Sequence, residues 1–298
     1  MLTAMPRPGH AIAALLALLV LALPGCGGDD VSDELDRARD RLQAQVAEAR
    51  AEFERRRDRF GERIGEVLDD LGRAVPRART TDPVVRSGAR NTPATIDVFM
   101  TRVLDNIDRY WTRTFAEADL PAPSVGFAPV PPGAARVTAC GHVADDSAAF
   151  YCPGDDTIYV AQRFAAALYR GVLRGLPGER AGYGRPAGDF AVAYVLAHEY
   201  AHNLQQELGM FDNVVSSAAK PYELHADCLS GTWAHSVFEQ GLLEPGDIEE
   251  AMNTALAVGD FDVGNAQHHG TPEERLDALV TGYDTGDPAQ CNRFVVAA

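Results

Sequence analysis

Residues 187–208 read AGDFAVAYVLAHEYAHNLQQEL, and this run constrains the fold more than any other. Ala193, Val195, Leu196, Ala197 and Ala201 make a helix here apolar on most of its faces, so the helix is predicted to be buried. A domain holding it must be built around it. Its middle is HEYAH, residues 198–202, two histidines flanking a glutamate. Residues four apart on a helix lie roughly 40° apart around the axis with Cβ atoms about 5–6 Å apart. Both imidazoles therefore face one side.

His198 and His202 can grip one ion through imidazole nitrogen, and Glu199 can reach a metal-bound water rather than the metal, the zincin arrangement of two ligands and a general base. A catalytic zinc wants a third protein ligand and an open position. Downstream, YELHADCLSGTW at 222–233 places Glu223 and Asp227 four apart on a second helical pattern that also carries Leu224, Leu229, Trp233 and Val237. Glu223 is the candidate third ligand, and Asp227 the candidate acceptor of a ligand histidine's N–H, fixing its tautomer. One catalytic Zn²⁺ is expected.

Around this pair the chain reads helical at 94–118, 162–175, 246–258 and 271–284, with short β-like runs such as SVGFAPV and DTIYVAQ inside a Pro- and Gly-rich stretch at 120–160. The expected fold is mainly α with a small β region, an α+β class. The globular domain is expected over 93–298. Residues 76–92 read as a linker, mixing Pro, Gly, Arg and Thr without periodicity. Over 27–75 a long charged helix is expected: apolar residues recur from Val31 to Leu71 at steps of mostly three and four, between 12 acids and 10 arginines within 31–75. It would reach about 60 Å if straight, as a stalk able to self-associate or as an arm packed on the domain.

Residues 1–26 read as a targeting segment: Arg7, then the apolar AIAALLALLVLAL at 11–23, then LPGC. LPGC resembles the bacterial lipoprotein cleavage box, with Cys26 the lipidated residue and Pro24 where a small or aliphatic residue is usual. The chain is thus expected to be exported and lipid-anchored in the cell envelope, at the outer face of the membrane. Export fits an even set of further cysteines, Cys140, Cys152, Cys228 and Cys291, as two disulfides with three pairings open. A net charge of −16 argues against a nucleic-acid partner.

The blocks TACG…FYCPGDDTIYV, AYVLAHEYAHNLQ, ELHADCLSGTWAH, LEPGDIEEAMNTALAVGD and HGTPEERLDALVTGYDTGDPAQC, in that order over roughly 93–298, resemble the bacterial neutral zinc metallopeptidases. The resemblance implies a zincin-like, gluzincin-type HExxH…ExxxD peptidase. It implies His198, His202 and Glu223 as ligands, Glu199 as base, Asp227 behind them, and the pairings Cys140–Cys152 and Cys228–Cys291. The expected activity is hydrolysis of a peptide or protein substrate by a zinc-activated water. HGTPEER also looks like the His-Pro…Glu-Arg segment of some membrane-associated zinc peptidases, making His269 a candidate for stabilising the oxyanion. The competing reading of that segment is a helix start with a Thr271–Glu274 capping box. Arg275 can brace an acid of the site or lie on the surface, and His225 and His235 are expected to be structural or solvated. The alternative function is a non-catalytic envelope lipoprotein with structural zinc, working through its long helix. Structural zinc usually has four protein ligands; three good ligands and a spare glutamate favour catalysis.

Overall fold

The computed structural model describes residues 93–212 and 216–296, with position 55 as an isolated helical residue. The expected targeting segment with Cys26, the 27–75 helix and the 76–92 linker lie outside the described residues, that single position apart. Helix α1 spans Pro93–Glu117, and a three-stranded sheet follows from β1 (Gly126–Val130), β4 (Ala149–Cys152) and β5 (Thr157–Ala161). Between β1 and β4 lies a small antiparallel pair, β2 (Arg136–Val137) and β3 (Val143–Ala144). The rest is helical: α2 (Gln162–Tyr169), α3 (Pro177–Arg180), α4 (Asp189–Glu207), α5 (Lys220–Glu239), α6 (Asp247–Val258), α7 (Pro272–Thr285), a 3₁₀ turn at Pro288–Asn292 and α8 (Arg293–Val296). The architecture is mainly α with a small β region, as expected. The zincin-like assignment agrees with it.

Helix α4 is the centre. Every residue from Phe190 to Ala201 is buried, because α1, α2, α5, α6 and strand β4 all pack on it. Helix α1 contributes Ile96, Met100, Val103, Ile107 and Trp111, a stripe at helical spacing, to the same core. The expected helix at 162–175 stops early. Gly171 takes a left-handed φ of 63° after α2, and a Cβ there would meet Ala187 Cβ at 2.8 Å.

In the sheet, β1 runs parallel to β5 from Gly126↔Thr157 to Val130↔Ala161, and β4 runs antiparallel to β5 from Cys152↔Thr157 to Ala149↔Val160. The order β1-β5-β4 leaves β4 at an edge, beside α4. β4 was not among the expected runs: AFYC is too short to show alternation.

Helices α5 and α7 touch backbone to backbone. A Cβ on Gly282 would fall 1.8 Å from the Cys228 carbonyl oxygen, and one on Gly231 would fall 2.1 Å from that of Leu279. Only glycine allows that approach. Of the three pairings open to the four cysteines, the structure has Cys140–Cys152 and Cys228–Cys291. The first ties the β2–β3 region to the end of β4, the second ties α5 to the 3₁₀ turn. No helix among the described residues is long and apolar enough to cross a membrane.

Candidate metal centre

The turn spacing of α4 and the approach of α5 bring three ligand groups together. His198 Nε2 lies 3.1 Å from Glu223 Oε2, and His202 Nε2 lies 3.5 Å from Glu223 Oε1. One ligand atom from each of the three falls within 4.8 Å of the others. Glu223 opens α5, and its carboxylate bridges the two imidazoles.

Behind the triad stands a buried ionic clamp. Asp227, one turn after Glu223, is fully buried. Its Oδ1 lies 2.8 Å from His198 Nδ1 and accepts from the Tyr194 hydroxyl at 2.6 Å. Arg275, the fourth residue of α7, donates through Nε to Oδ2 at 2.8 Å and through Nη2 to Oδ1 at 2.9 Å. A carboxylate so surrounded stays ionised: burial alone would raise its pKa, but the Arg275 charge and His198 outweigh that and lower it. An ionised Asp227 only accepts, so His198 Nδ1 carries a hydrogen and Nε2 points its lone pair toward Glu223.

Without a metal, protons take its place between nitrogen and oxygen. Burial pushes the His198 pKa down, yet Asp227 and Glu223 together lift it to about 10. His202 is raised too, where Glu223 overcomes its burial. Glu223 is held well below the usual carboxylate range, because the two histidines override desolvation. Three converging donors that trap positive charge this strongly fit a cation. Two nitrogens and a carboxylate oxygen are the donor set of a zinc site with an open position.

Glu199 is buried on the same helix, and its Oε2 accepts a 2.8 Å hydrogen bond from the backbone N–H of Tyr151. That N–H points away from β5 because β4 is an edge. The Asp156 side chain organises the turn after β4, accepting from the Tyr151 hydroxyl at 2.8 Å and from Asn203 of α4 at 2.9 Å.

A model of the family described as "Putative neutral zinc metallopeptidase" matches residues 58–294 of this chain. The chain belongs to this family. The match starts at residue 58, inside the 31–71 helical pattern, and so reaches further toward the N-terminus than the resemblance read from 93–298. Among curated relatives, "Uncharacterized protein YpfJ" of Escherichia coli K12 is 37% identical over 177 residues, 53% of this chain and 58% of that protein. "Uncharacterized protein Rv2575" of Mycobacterium tuberculosis H37Rv is 32% identical over 185 residues, 54% of this chain and 59% of that protein. The chain thus spans a little under three fifths of the curated relatives it matches. No solved structure matches it significantly. The family implies zinc, and the donor set of His198, His202 and Glu223 is compatible with it.

The remaining expected residues fall as follows. Thr271 and Glu274 form the capping box of α7. His269 is half exposed, 3.4 Å from Asp260 through Nδ1, and among the described residues no hydrogen bond or ion pair joins it to the triad. Its neighbour His268 is the buried one, 2.5 Å from Asp260 through Nδ1. Arg275 is in the interior, not on the surface. His225 is fully buried, and His235 Nδ1 meets the Tyr283 carbonyl at 2.6 Å. Sequence reasoning missed three contributors. Tyr194 stands four residues before His198 and Gln205 three after His202, so helical spacing alone could have found both. The Tyr151 N–H carried no signal, being backbone.

Proposed function

We propose that this chain is an exported, membrane-tethered zinc peptidase that hydrolyses peptide bonds. The observation that carries the reading is Glu199: a buried carboxylate next to a three-donor metal group, gripped on one oxygen by the edge strand and belonging to no ion pair among the described residues. Zinc held by His198, His202 and Glu223 would supply a Lewis acid for the attacking water and the scissile carbonyl.

The protein's own residues do the rest. The Tyr151 N–H fixes Glu199 Oε2, and the carboxylate keeps lone pairs with which to take a proton from water and return it to the leaving amine. Asp227, Tyr194 and Arg275 hold His198 in one tautomer. Among the described residues no strand pairs with the outer edge of β4, so an extended peptide can add there, backbone to backbone, near Glu199. Three donors rather than four favour catalysis over a purely structural metal. Two disulfides suit an oxidising compartment, and Cys26 supplies the membrane tether in this reading.

The test is hydrolysis of unfolded protein and of cell-wall peptides by the full chain, with and without a chelator and with zinc added back. The expected result is chelator-sensitive, zinc-restored cleavage that Glu199→Gln abolishes while zinc content stays stoichiometric. Cleavage that survives Glu199→Gln refutes the role given to Glu199, and a zinc-loaded protein that cleaves neither class refutes the peptidase reading.

A further inference from the structure

We infer that Gln205 is the positioning residue for His202, an uncharged counterpart of the Asp227 clamp on His198; this rests on the zinc reading of the His198–His202–Glu223 group. Gln205 is fully buried, three residues beyond His202 on α4. Its side-chain amide makes three contacts. Oε1 lies 2.9 Å from His202 Nδ1. Nε2 lies 2.7 Å from the Tyr222 carbonyl oxygen and 3.1 Å from His225 Nδ1.

These contacts determine the direction of every hydrogen. A backbone carbonyl can only accept, so the amide NH₂ must face Tyr222, and Oε1 must then face His202. Oε1 can only accept, so His202 Nδ1 carries a hydrogen. The lone pair is left on Nε2, the nitrogen facing Glu223 Oε1. The amide's second hydrogen goes to His225 Nδ1, which puts that ring's own hydrogen on Nε2, a buried atom with no hydrogen-bond partner among the described residues. A carbonyl one residue before Glu223 therefore dictates the tautomer of His202 through a single amide. The same amide spans α4 and α5, so it also sets the distance between two of the three ligands.

The chemistry explains why this partner is neutral. Asp227 brings a negative charge to His198, but Arg275 cancels it. Among the described residues no arginine or lysine is hydrogen-bonded or ion-paired to His202, whose polar partners are Gln205 and Glu223, so nothing there would cancel a second carboxylate. An amide orients the ring and adds no charge to the metal group.

The test measures zinc affinity of the full chain by competition with a chromophoric chelator, for wild type, Gln205→Leu and Gln205→Glu, beside unfolding midpoints of the zinc-free proteins. Gln205→Leu should weaken zinc about 10- to 100-fold, the usual cost of losing an outer partner of a ligand histidine. Gln205→Glu keeps an acceptor for His202 Nδ1 in either protonation state and should recover most of that loss. A Leu variant that folds and binds zinc like wild type overturns the inference alone, as does a Glu variant no better than Leu at equal zinc-free stability. A folded wild type that binds no zinc overturns the zinc reading and this inference with it. Should the Leu variant not fold, histidine ¹⁵N shifts of the zinc-loaded wild type decide: His202 bound through Nε2 with a hydrogen on Nδ1 is expected, and binding through Nδ1 overturns the inference.

Discussion

Replacing Arg275 by methionine isolates the energetics of the clamp behind His198. Arg275 is 5% exposed and Asp227 0%, so their pairing is desolvated. The change removes two charge-assisted hydrogen bonds, at 2.8 and 2.9 Å, each worth about 1.5–3 kcal/mol. Taking one partner from a buried pair typically costs about 3–5 kcal/mol, since the other charge stays behind. Part of that returns here. Asp227 keeps the Tyr194 hydroxyl and His198, and His198 without a metal is protonated at neutral pH, a tendency the guanidinium opposes. The expected loss is therefore near the lower end, about 3 kcal/mol, or roughly 6–12 °C in Tm for a domain of this size. Urea unfolding of the metal-free protein at pH 7, disulfides intact, reads it through the buried Trp111 and Trp233. Asp227→Leu completes the cycle. The double variant should be at least about 2 kcal/mol more stable than the two single losses predict, because neither charge is then left alone. An Arg275→Met loss under about 1 kcal/mol, or strictly additive losses, would refute the claim that this pair organises the site.

Three further outcomes follow from the packing. Gly282→Ala should destabilise by about 3 kcal/mol, read as a urea midpoint, since its methyl would meet the Cys228 carbonyl on a helix that cannot retreat without breaking the Arg275–Asp227 pair; a neutral effect would mean that α5 and α7 are free to part. Glu250, whose Oε2 accepts from the Phe190 N–H at the start of α4, has its pKa raised to about 7 by burial and by Asp189 and Asp247. An acid raised in the folded state binds its proton more tightly there than in the unfolded chain, so the contribution of Glu250 to stability is greatest below about pH 4.5 and falls as pH climbs to about 7. At this partly exposed position the fall should be roughly 1–2 kcal/mol after solvent screening, and it should vanish in Glu250→Gln; an unchanged pH profile of Tm in that variant counts against the assignment. Opening the Cys140–Cys152 bridge, by Cys140→Ser with Cys152→Ser, should cost about 2–3 kcal/mol and speed hydrogen exchange at the Tyr151 amide, and unaltered exchange there would show that the bridge does not steady the edge strand.

The sequence by itself determined the parts that depend on local spacing. The apolar surround of HEYAH made α4 a buried helix, and helical pitch placed His198 with His202 and Glu223 with Asp227, because i and i+4 share a face whatever the rest of the chain does. The starts of α5, α6 and α7 lay within a residue or two of expectation for the same reason. Tyr194 and Gln205 were legible by that rule and were passed over.

Tertiary structure decided everything that depends on which backbone lies against which. Arg275 was equally consistent with the surface until the glycines at 231 and 282 let α7 settle on α5, 48 residues downstream of the aspartate it grips. His269, adjacent to a buried histidine in sequence, fell on the solvent side of that loop. AFYC became an edge strand only because β5 paired with it, and the Tyr151 N–H that holds Glu199 is a group every residue but proline carries. Helical periodicity names which side chains share a face. Only long-range packing names what that face meets.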